Sequence, residues 1–136
     1  MAQKNSLDTI FVHTFKHARK LARNFYFKQW AKHPPRCAAF GGEVITIGRE
    51  GWEHVVTDKH RTKMDILGRL FCLERAKQIL ETAQGYQDYA KREQDKAEYW
   101  AFEQIVEGVK VKVIVRAVRK GKKHFYSVIR QGTVET

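Results

Sequence analysis

From Val109 to Val118 one set of residues, Val109, Val111, Val113, Val115 and Ala117, alternates with Lys110, Lys112, Ile114, Arg116 and Val118. A period of two over ten residues is that of a β-strand with one face on a core. The opposite face carries cations. A short linker, Arg119-Lys120-Gly121-Lys122-Lys123, then leads into His124 to Gln131, a second strand mixing aromatic and β-branched residues with polar ones. The whole stretch from Gly108 to Arg130 holds eight Lys and Arg and no Asp or Glu.

Upstream, Ser6 or Asp8 can cap a helix whose apolar stripe is Leu7, Phe11, Ala18, Leu21, Ala22 and Phe25, with Lys16, Arg19, Lys20 and Arg23 away from it. That helix should end before Pro34-Pro35, which removes two backbone donors and makes His33 to Arg36 a connector. Glu43 to Ile47 reads as a short strand, Gly48 and Gly51 bracket a turn, and Trp52 to Val56 is a strand or an irregular crossing. Asp58 can cap a second helix, with Met64, Leu67, Leu70, Phe71, Ile79 and Leu80 at helical spacing until Gly85. A more polar helical segment is expected over Tyr86 to Lys96. Strands follow from Tyr99 to Val106, Val109 to Val118 and His124 to Gln131. The expected fold is α+β, N-terminal helices packed on a C-terminal antiparallel β-meander.

At 136 residues the chain is expected to be a single domain, 1–136, with a basic helical arm over 1–33 and an α+β core over 43–136. The net charge of +11 points to a polyanionic partner. The signs are segregated. Residues 1–36 hold eight basic side chains against one acid, whereas residues 69–107 hold six against eight. A charged surface can also serve solubility alone. Cys37 and Cys72 form no disulfide framework and fit no metal spacing, and no apolar run is long enough for a signal peptide or a membrane span. A cytoplasmic location is expected, either of the producing cell or of a target cell into which the protein is delivered.

No phosphate-binding glycine loop and no nucleophile elbow is present. The acidic residues form no close set for a two-metal site, Glu50/Glu53 and Asp58/His60 being weak pairings, so no metal and no cofactor is expected. Cleavage of RNA through its own 2'-hydroxyl needs only a base, an acid and fixed positive charge, which His, Tyr, Ser, Lys and Arg can supply. Candidates of that kind are His54, in Gly51-Trp52-Glu53-His54; His60 and Arg61; and His124, Tyr126 and Ser127 beside Lys110, Lys112 and Arg116. Alternation puts His124, Tyr126 and Val128 on one strand face and Phe125, Ser127 and Ile129 on the other, with Phe125 and Ile129 toward the core. Tyr99 is the exposed candidate for base stacking, ahead of Trp100 and Phe102. Arg19 and Arg23 could hold a nucleic-acid backbone or an acidic protein, and Lys63 and Arg69 could face a phosphate or be surface charges.

Gly51-Trp52-Glu53-His54, the helix His60 to Leu80, Tyr99-Trp100, Val111 to Arg116 and Lys123-His124-Phe125-Tyr126-Ser127-Val128 together resemble the barnase/EndoU/colicin/RelE-like ribonuclease superfamily, in particular its phage-associated and contact-dependent toxin branches. The resemblance covers about the last two thirds of the chain. It implies metal-independent cleavage of RNA, tRNA among the substrates, and an acidic immunity protein or antitoxin as partner. His54 would match the early-motif histidine, and Arg116, His124, Tyr126 and Ser127 the polar residues of the closing strands. The basic helix before Pro34 lies outside the resemblance; by their chemistry alone Lys112, Lys110, His60, Arg61 and Tyr99, with Arg19 and Arg23 of that helix, are the residues expected to hold substrate. Which histidine is acid and which is base stays open. The competing expectation is a non-catalytic phage or mobile-element protein that binds nucleic acid or an acidic protein partner through the same basic faces.

Overall fold

The computed structural model describes residues 6–57 and 59–133, without the side chains of Ser6 and Asp8, so the helix caps expected at Ser6, Asp8 and Asp58 fall outside the described residues. Helix α1 spans Ser6–Asn24 and continues as a π-helical turn, Phe25–Trp30. Short strands β1 (Arg36–Cys37) and β2 (Glu43–Val44) pair with each other. Helices α2 (Arg49–Val56), α3 (Lys63–Phe71) and α4 (Leu73–Thr82) follow. The chain closes with β3 (Asp88–Arg92), β4 (Ala97–Val106), β5 (Val109–Val118) and β6 (His124–Thr133), an antiparallel meander in the order β3-β4-β5-β6. The fold is α+β, helices packed on a β-meander. No helix among the described residues is long and apolar enough to cross a membrane.

The period-two pattern of β5 translates directly into burial. Val111, Val113, Val115 and Ala117 face the core with Trp100, Phe102, Phe125 and Val128, and the alternate residues face outward. Residues 1–33, set apart in the sequence as a basic arm, send Tyr26 and Trp30 into that core at 0 % exposure. The Trp30 and Phe125 rings lie 5.0 Å apart and Tyr26 meets Trp52 at 5.6 Å. Burying an aromatic of this size contributes about 2–3 kcal/mol, so the helix end is tied to the sheet.

Five local expectations are corrected. Trp52 to Val56 is helix: Gly48 is the residue before α2 and Gly51 lies inside it. Gly51 is there because of close packing rather than a turn, since a Cβ at this position would sit 2.5 Å from the Phe125 carbonyl oxygen and 2.7 Å from the Tyr26 hydroxyl. The helix read from Asp58 to Gly85 is two helices, broken at Cys72, with Thr62 Oγ1 accepting from Asp65 N at the start of α3. Tyr86 to Lys96 contains an edge strand, its helix-compatible polar residues recruited by pairing with β4. The strand expected over Glu43 to Ile47 is shortened to Glu43–Val44, after which Thr46 bridges to His124 in parallel and covers the start of β6.

The last correction bears on function. Ser127 pairs with Ile114 and Phe125 with Val115, which leaves Tyr126 as an extra, bulged residue. The bulge resets the alternation beyond it. Val128 therefore joins Phe125 in the core, and Ile129, expected inside, sits opposite outward-facing Lys112 and is only half-buried.

Candidate active site

Helix α2 packs along β6 with Gly51 against the strand, which turns Glu50 and His54, one helical turn apart, toward the outward face of the sheet. There His54 and Tyr126 stack with ring centroids 4.1 Å apart. Tyr126 is also flanked by Tyr99 at 5.7 Å, His124 at 6.4 Å and the Arg116 guanidinium at 5.1 Å. Residues 54, 99, 116, 124 and 126 thus form one cluster at the end of the sheet where the β5–β6 hairpin turns.

Arg116 is fully engaged. It donates to Glu50 Oε1 at 2.5 Å, to Asp95 Oδ2 at 3.3 Å and to the Tyr99 hydroxyl at 3.1 Å. Asp95 also accepts from Arg92, and that hydrogen bond holds its carboxyl down at about 2. The second Glu50 oxygen lies 3.4 Å from His124 Nε2, near enough for an ion pair but out of line for a hydrogen bond. His124 is lowered by burial, with Glu50 pulling the other way.

Two further guanidinium groups approach from the other side. Arg61 donates to the carbonyls of His54 and Val55, capping the C-terminus of α2. Arg69 donates to Ser127 Oγ at 3.0 Å and to the Val128 carbonyl at 3.1 Å, tying α3 to β6. Both share Asp65 as counter-ion. Burial first, then Arg61, Arg69 and Arg116 with Glu50 opposing, lowers His54 to about 4. Its Nδ1 is buried without a hydrogen-bond partner. At neutral pH His54 is an uncharged imidazole among cations.

A depressed histidine pKa has a stability consequence of fixed sign. The unfolded chain binds the proton near 6.5 and the folded one only near 4, so this contribution is full above pH 6.5 and is lost as pH falls toward 4. After allowance for solvent screening of a half-buried ring it amounts to about 1–2 kcal/mol. Urea midpoints at pH 7 and pH 4.5 should differ more for the natural chain than for His54→Asn, and the His54 ring resonances should titrate near pH 4. Titration near 6.5 would refute this environment.

The other expected site residues are distributed differently. Ser127 is 2 % exposed and its hydroxyl accepts from Arg69, which ties it to α3 rather than to the His54–Tyr126 stack. Lys112, four residues along the strand from Arg116 and so about 13 Å away, approaches Glu103 at 4.0 Å, and Lys110 lies farther still. His60 is exposed in the loop before α3. Arg19 and Arg23 are exposed on α1, Arg23 over the Phe27 ring. Among the described residues no three His, Cys, Asp or Glu come together as metal ligands.

Sequence reasoning missed Glu50 and Asp95 as members of the cluster and left Arg69 undecided. The Glu50–His54 spacing of four becomes a signal once α2 is known to be helical; for Asp95, in the β3–β4 turn, nothing in the local sequence points to Arg116. Comparison with known proteins finds no matching family model, no matching curated protein and no matching solved structure.

Proposed function

We propose that this cluster cleaves RNA without a bound metal, by attack of a ribose 2'-oxygen on the adjacent phosphorus. The observation that carries the proposal is the stacking of His54, from α2, on Tyr126 of β6 beside Arg116 of β5. Neutral His54 takes the proton of the 2'-hydroxyl as the 2'-O–P bond forms. The P–O5' bond breaks, and the Tyr126 hydroxyl gives its proton to the leaving 5'-oxygen. Arg116 neutralises the charge that builds on the phosphorane oxygens, exchanging a carboxylate partner for the phosphate. His124 and Glu50 lie 3.4 Å apart next to it. The products are a 2',3'-cyclic phosphate and a 5'-hydroxyl.

Total tRNA incubated with the protein in EDTA should be cut to fragments with cyclic-phosphate ends, and His54→Ala and Tyr126→Phe should each lower the rate by about 10²-fold or more. Intact RNA with the natural chain would sink the enzyme. One observation favours a second reading, a polyanion-binding protein without turnover: Arg19 and Arg23 are exposed on α1, whereas Arg61, Arg69 and Arg116 are already held by partners within the fold. Such a protein, whether its partner is nucleic acid or an acidic protein, would bind with steep salt dependence and be indifferent to His54→Ala.

A further inference from the structure

The β5–β6 hairpin turns through Val118, Arg119, Lys120 and Gly121, closed by Gly121 N donating to the Val118 carbonyl. Arg119 and Lys120 both have positive φ, 53° and 60°. Two adjacent left-handed residues at the centre of a hairpin turn are ordinarily Asn-Gly or similar, because a branched or long side chain is strained there. Here the glycine comes one position too late to relieve either residue.

The fold gains nothing visible from this. Residues 119–122 are exposed, and among the described residues Arg119, Lys120 and Lys122 have no acidic partner. Lys123, next along, shows what a structural cation looks like at this hairpin: it pairs with Glu43 at 2.9 Å and packs its ammonium on Phe40 and Trp100. Backbone strain held by residues that contribute no packing is a feature of functional surfaces.

The tip also stands at the cluster. Lys122 and His124 line one hollow of about 310 Å³ together with Arg49 and Glu50. On the other side, Arg119 N donates to the carbonyl of Lys96, the residue after Asp95. The three unpaired cations therefore sit between the two carboxylate-bearing elements that hold Arg116.

We propose that Arg119, Lys120 and Lys122 grip the phosphate backbone of an RNA strand on the flank of the scissile phosphate, a role that rests on the ribonuclease reading of the cluster. The substrate is then a strand several nucleotides long. A dinucleotide depends on the tip less than such a strand does.

The test is the variant R119N/K120G/K122Q, which installs the turn residues that the backbone favours while removing three charges. With a 12-nucleotide RNA carrying 2'-O-methyl groups, which cannot be cleaved, Kd should rise about tenfold at moderate salt. The slope of log K against log salt should flatten by about 2, three single-strand phosphate contacts being worth about 0.7 each. The thermal midpoint should hold or rise, and the affinity for an uncleavable dinucleotide should fall less than that for the 12-mer. An unchanged Kd and slope would overturn the proposal, and would leave the tip to another polyanion such as an acidic protein. Because binding is read on uncleavable RNA, absence of turnover in the natural chain would remove the ribonuclease reading alone, with the loss of affinity still scoring the grip.

Discussion

Arg116→Ala is expected to lower the single-turnover rate of RNA cleavage by about 10²–10³-fold, the effect of losing one preorganised charge at a developing oxyanion. The Arg116 guanidinium is held from two directions at once. Its Nε is fixed by the Tyr99 hydroxyl, and its two terminal nitrogens meet Glu50 and Asp95, residues brought in by α2 and by the β3–β4 turn. Arg116→Lys tests whether geometry or charge dominates, because an ammonium cannot span three acceptors in one plane. It should recover only a small part of the rate. Activity within threefold of the natural chain in the alanine variant would remove Arg116 from the mechanism.

Gly51→Ala is expected to cost about 3 kcal/mol of stability, at the upper end for an added methyl group in a packed core. The added carbon would meet the Phe125 carbonyl oxygen at 2.5 Å, the Phe125 ring at 2.7 Å and the Tyr26 hydroxyl at 2.7 Å. Two of these neighbours cannot move easily. The carbonyl belongs to the backbone of β6, and Tyr26 is fully buried and donates to the Gly48 carbonyl at 2.5 Å. The thermal midpoint should fall by about 10–15 °C for a chain of this length. Any folded fraction should lose cleavage as well, because moving α2 off β6 separates His54 from Tyr126. Tyr26→Phe keeps the packing and removes the hydrogen bond to Gly48, so a smaller stability loss is expected there, about 1 kcal/mol. A midpoint unchanged in Gly51→Ala would show that α2 is not seated as described.

Legibility in the sequence divides along a physical line. Strand β5 spans the predicted residues because its period records locally which face is buried, and the first helix ends before Pro34-Pro35 because proline lacks a backbone donor and disfavours helix before it. His54, Arg116, His124 and Tyr126 could be named in advance from their chemistry and from the strands and turn around them. What they touch could not. Arg116 meets Glu50 across 66 residues, and no local period records a partner at that distance.

The same line explains the misreadings. Gly51 signals either a turn or a close approach, and only the presence of Phe125 and Tyr26 against it decides between them. β3 has no buried face to create a period, so its identity comes from the backbone of β4 alone. The bulge at Tyr126 is a property of the pairing between β5 and β6, not of either strand. The sequence by itself determined the long strands, the outward basic face and the side chains available for chemistry, since these depend on each element's own pattern of burial. Tertiary structure alone decided that α2 faces Tyr126, that two carboxylates hold Arg116 and that three guanidinium groups surround His54, because each of those is a meeting of residues that are neighbours only in space.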